Sequence, residues 1–135
     1  VSAGIAVLDS VLRNLGLSGP SQPATFLSPH GAAEVVLAII LVAVVAISEE
    51  TIFRGYLIAR MDAVLENIPM AVLLSSALFA AGHGYEGTSG LVAVGAMGFV
   101  FAILFVWRQS LVAPMVIHFL NNFLAIVVVP TIGGS

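Results

Sequence analysis

The chain is 135 residues long, 60% hydrophobic and 8% charged, with a formal net charge of −3 at pH 7 and a mean hydropathy of +1.15, values that belong to a membrane protein. Four arginines and no lysine leave a nucleic-acid footprint no charge to rest on. The absence of cysteine excludes a disulfide framework, a thiolate nucleophile and a Cys-ligated zinc.

The chain opens on Val1 with no basic region leading to a cleavage site, and reads as a segment processed or excised from something longer. Residues 2–15 put Ile5, Leu8, Leu12 and Leu15 at helical spacing, with Asp9 and Arg13 four apart on the polar side and Gly16 as a stop. This pattern predicts an amphipathic interfacial helix, or the tail of a preceding span. Together with the linker that carries Gly19, Pro20 and Pro23, it makes up one expected unit, residues 1–27; residues 28–135 are expected to form an intramembrane core.

Ser28 suits an N-cap and Pro29 a first helical position, so the first long helix is placed to start there. Residues 32–47 are apolar except for Glu34, and no breaker occurs before the polar patch of Asp62, Glu66 and Pro69. At ~1.5 Å per residue, such a helix crosses a hydrocarbon core of about 30 Å and protrudes. A second apolar helix is expected from Ile68 to Gly82, followed by a glycine-rich loop, GHGYEGTSG. The third, residues 91–107, is uncharged and carries Gly95 and Gly98, which allow close helix approach. The fourth, residues 111–129, contains Pro114, which is expected to kink it. Period-two alternation and internal repeats are both absent. The expected fold class is therefore all-α: a polytopic membrane helix bundle of about four transmembrane helices plus the N-terminal interfacial helix.

Arg60 lies between the first and second spans and Arg108 between the third and fourth, so both fall on one side, which the positive-inside rule makes cytoplasmic. Trp107, beside Arg108, is placed in an aromatic belt. His30, between Pro29 and Gly31, reads as a surface residue, and Tyr85 as a packing or interface residue.

Ionisable groups at membrane depth cost roughly 2.5–3.5 kcal/mol each, so those inside the spans need an explanation. They form three groups on three helices: Glu49, Glu50 and Arg54; His83, four residues after Phe79; and His118 with Asn122, four apart on one helix face. Helical rise counted from the arginine side puts Glu49, His118 and Asn122 roughly 15–20 Å deep, with His83 a little beyond, close enough for one cavity. Glu50 and Arg54 are four apart and can pair. Glu49, rotated about 100° from Glu50, is poorly placed for Arg54, which leaves it free to act as a general base.

EETIFR fits an EExxxR motif, FAAGH fits FxxxH and HFLNN fits HxxxN, in that order on separate membrane helices. This set resembles the CAAX-processing and bacteriocin-processing (CPBP, or Abi) family of intramembrane endopeptidases over a stretch from about Glu34 to Val129. The resemblance implies that Glu49 activates a water with His83 helping to hold or deprotonate it, that His118 and Asn122 donate to the oxyanion, and that Glu50, Arg54 and Phe79 support them. It implies a peptide or protein substrate, lipid-modified or not, in a membrane-lipid setting, with no nucleic acid. Family members are described both as metalloproteases and as glutamate-dependent hydrolases. The absence of an HExxH pair, and asparagine's weakness as a zinc ligand, favour a glutamate mechanism with no metal and no other cofactor. The rival reading is a non-catalytic peptide-binding or immunity membrane protein that retains the polar cavity. A proton-coupled carrier is a third reading, opposed by the few helices and the lack of paired half-repeats.

Overall fold

The computed structural model describes residues 10, 11, 14–16 and 29–130. The expected interfacial helix and linker therefore lie almost wholly outside the described residues. Within the fragment that is described, Leu15 N–H donates to Val11 O at 3.1 Å and Gly16 takes a φ of 81°, suited to the stop expected there.

Four helices make up the rest, and no strand occurs among the described residues: α1 (Ala32–Leu65), α2 (Ile68–Gly82), α3 (Gly87–Arg108) and α4 (Val112–Val128), with a 3₁₀ turn (Gly84–Glu86) before α3. Two of them, α1 and the 25-residue stretch Gly84–Arg108, are long and apolar enough to cross a membrane, while α2 and α4 are shorter apolar helices. The four form a ring. α2 packs most extensively on α3, α1 lies between α2 and α4, and α3 closes onto α4. At the arginine-bearing end the core is Ile58, Ala71, Val72 and Ala102, with Met61, Phe105 and Val106 against it. The outer faces are apolar too: Leu37, Val44, Leu73, Val100, Ile103 and Val116 are all exposed. So much uncovered aliphatic surface is stable where the solvent is lipid.

Helix α1 begins at Ala32, three residues later than Pro29, because Gly31 takes φ 99°, outside the helical region. Glu34 has a local use here. Its Oε2 accepts from His30 N–H at 2.7 Å, closing the helix entrance much as a capping box does. The end of α1 agrees with the polar patch: Glu66 adopts the left-handed conformation, and its N–H returns to Asp62 O at 2.8 Å. Asn67 then caps α2 by accepting from Met70 N–H at 3.0 Å, with Pro69 in the first turn.

Two expectations about the second half need correction. GHGYEGTSG is mostly helical, since α3 starts at Gly87 rather than residue 91. Packing overrides the weak helix propensity of Gly, Thr and Ser: Ser89 is buried, and the Glu86 side chain lies against Gly90, where a Cβ would collide with it. Pro114 sits in the first turn of α4, whose N–H groups have no intrahelical partner in any case. The reason for expecting a kink is thereby removed.

Candidate active site

The winding of α1 changes at the stretch Ser48-Glu49-Glu50-Thr51. Ser48 and Thr51 turn their hydroxyls back onto the carbonyls of Val44 and Ile47, a bond that competes with the helix ladder. From Thr51 to Ile58 the rod is wound as a π-helix. A carbonyl oxygen in such a segment can accept a second bond from a neighbouring helix. One such oxygen, Phe53 O, accepts from Ser75 Oγ of α2 at 2.8 Å, which ties the two helices together at site depth.

Glu50 closes the α-helical part and Arg54 lies in the π segment. Arg54 NH1 donates to Glu50 Oε1 at 3.0 Å, and both side chains are fully buried. Arg54 NH2 also donates to the carbonyl of Gly98 on α3 at 2.7 Å. Its guanidinium carbon lies 4.5 Å from the Phe79 ring centroid and 5.5 Å from that of Phe101, within cation–π range of both. Gly98 makes this approach feasible, because a Cβ there would stand 2.8 Å from Phe79 Cδ1 and 3.2 Å from Arg54 NH2. The close approach expected of Gly95 is also present, with Ala80 Cβ 3.3 Å from where its own Cβ would be.

His118, buried on α4, joins both glutamates. Its Nδ1 bonds Glu50 Oε1 at 2.8 Å, and its Nε2 stands 3.6 Å from Glu49 Oε2. The second separation exceeds hydrogen-bonding range. Glu49 Oε2 is buried without a hydrogen-bond partner, although the side chain as a whole is 27% exposed.

His83 ends α2. Its backbone N–H turns to Ala80 O, and its side-chain Nδ1 takes the place left at Phe79 O, at 2.9 Å. That is the physical content of the FxxxH spacing: the imidazole satisfies the carbonyl one turn back. A carbonyl only accepts, so Nδ1 carries the hydrogen, and in the neutral ring Nε2 is then the acceptor. Phe79, buried, bridges the histidines, with its ring centroid 4.7 Å from His83 and 6.0 Å from His118. Asn122 is half-buried one turn beyond His118, and its Oδ1 accepts from Asn121 Nδ2 at 3.3 Å.

Glu49, Glu50, Arg54, Phe79 and His118 are thus in one contact network. His83 is attached to it through Phe79, whereas Asn122 is not hydrogen-bonded to any of them. Sequence reasoning missed Gly98 O as a partner of Arg54 and Phe101 as the ring stacked on His118 at 5.2 Å. Both lie in a uniformly apolar stretch, where only a glycine-and-phenylalanine spacing hints at a polar neighbour. Among the described residues no three His, Asp or Glu side chains are grouped as metal ligands.

A family model described as type II CAAX prenyl endopeptidase, Rce1-like, matches residues 31–124, a span that contains every residue of this network. No curated protein and no solved structure matches the chain.

Proposed function

Because the chain belongs to the Rce1-like family of type II CAAX prenyl endopeptidases, a family of membrane proteases, we propose that it hydrolyses a peptide bond within the membrane by means of a water activated at Glu49. The observation that supports this reading is the free, buried Oε2 of Glu49, 3.6 Å from His118 Nε2. An oxygen placed so accepts a proton from water without first breaking another bond. His83, with Nε2 as an acceptor, helps to orient that water. His118 and Asn122 face the carbonyl under attack and stabilise its developing charge, His118 once its Nε2 has taken up a proton.

The substrate class we propose is a prenylated C-terminal CAAX peptide whose lipid lies alongside the apolar helix faces. We further propose that all four helices lie in the membrane and that the Arg60 and Arg108 ends face the cytoplasm. Since the chain has no cysteine, maleimide labelling of a Gln109→Cys variant in oriented vesicles checks this orientation, and labelling from the opposite side would refute it.

The experiment that tests the function is cleavage of matched prenylated and unprenylated CAAX peptides by the purified chain in detergent or nanodiscs, with and without a chelator. The expected result is hydrolysis that favours the prenylated peptide and survives chelation. Tight binding of peptide without hydrolysis would support the peptide-binding alternative instead. Activity lost with one equivalent of zinc and restored with it would overturn the glutamate mechanism.

A further inference from the structure

Glu50 makes one contact more than an ion pair with Arg54 requires. Its Oε1 accepts both Arg54 NH1, at 3.0 Å, and His118 Nδ1, at 2.8 Å, and all three side chains are buried. A carboxylate paired with a guanidinium is an acceptor only, so Nδ1 is the His118 nitrogen that carries hydrogen. The ring has little freedom to turn. Phe101 stacks on it at 5.2 Å and 26°, and Phe79 meets it edge-on at 6.0 Å and 84°. With Nδ1 held inward, Nε2 points at the unpartnered Oε2 of Glu49, 3.6 Å away.

We infer that Glu50 is a positioning residue that fixes the tautomer and orientation of His118, so that His118 carries the proton taken up by Glu49 to the leaving amine. This inference rests on the proposed role of Glu49 as base. As the water oxygen bonds to the carbonyl carbon, one O–H bond breaks and its proton passes to Glu49, then to Nε2. The imidazolium so formed is flanked by the Glu50 carboxylate and becomes a donor as the oxyanion appears. Collapse of the intermediate breaks the C–N bond, Nε2–H protonates the departing nitrogen, and the second water hydrogen stays with the new carboxylic acid. His118 thus returns to its starting form. Glu50 acts on this sequence only through the ring, as the orienting carboxylate of a catalytic triad does.

The test is ¹⁵N NMR of histidine-labelled protein in micelles, feasible because the chain holds three histidines, with signals assigned by their loss in His118→Asn. The expected wild-type spectrum has the His118 Nδ1 protonated and Nε2 bare. In Glu50→Gln the neutral amide neither fixes the tautomer nor stabilises the imidazolium; the Nδ1 signal should move and kcat should fall on the order of 10²-fold with KM little changed. A bare Nδ1 in the wild type overturns the inference, even if Glu50→Gln fails to fold. So does a folded Glu50→Gln chain with unchanged His118 signals and unchanged kcat. The spectrum is independent of turnover, so an active Glu49→Gln variant would show separately that the base assignment had failed.

Discussion

Asn122 shows how far a single residue's role depends on direction. Its Oδ1 accepts from Asn121, its amide N–H groups can only donate, and a donor near a reacting carbonyl gains strength as negative charge develops there. Asn122→Leu, close in volume and easily held in a membrane helix, should lower kcat by about 10²–10³-fold, the usual effect of losing one oxyanion donor. Peptide affinity, measured in a Glu49→Gln background, should hardly change. A parallel loss of affinity would make Asn122 a ground-state binding residue, and no change in either would make it a link between helices. Residue pairing was legible in the sequence where it is local: Glu50 with Arg54, and His83 with Phe79, each four apart. The bond from Glu50 to His118 spans 68 positions. No local pattern encodes it, because it depends on how α1 and α4 meet, and the sequence reading accordingly gave Glu50 to Arg54 alone.

At the scale of elements, the helices were legible as long apolar runs, and polar patches mark where the runs end. The α2 limits, Ile68–Gly82, follow from Asn67, Pro69 and the glycines near His83. The π winding of α1 was not legible, because hydroxyl back-bonding by Ser48 and Thr51 is compatible with an ordinary helix as well. The same segment carries a tertiary bond, from Ser75 Oγ to Phe53 O. The contact between α2 and α3 leads to a sharper expectation. Gly98→Ala places a methyl group 2.8 Å from Phe79 Cδ1, in a site where Phe79 and Arg54 are both buried. It should destabilise the bundle by about 1–3 kcal/mol, seen as a lower Tm in detergent. Gly95→Ala, whose nearest neighbour would be Ala80 Cβ at 3.3 Å, should cost less. Equal melting of the two variants would contradict this packing.

The described residues form a ring of four helices with an apolar outside and a polar seam inside, where ionisable side chains of α1 and α4 meet one another away from the apolar faces. Composition alone was enough to assign it to the membrane. The seam was legible as three motifs, and their meeting is what the fold adds: α1 supplies both glutamates and the arginine, α2 the histidine at its C-terminal end, α3 the glycine carbonyl, and α4 the bridging histidine. The central claim is that this seam hydrolyses peptide bonds through Glu49, and the direct measurement is cleavage of a CAAX peptide by Glu49→Gln beside the wild type, with folding checked by Tm and peptide binding. The amide keeps the shape of the carboxylate but cannot take up the proton. The account predicts a folded, peptide-binding protein with cleavage lost; cleavage at more than a few per cent of the wild-type rate would contradict it.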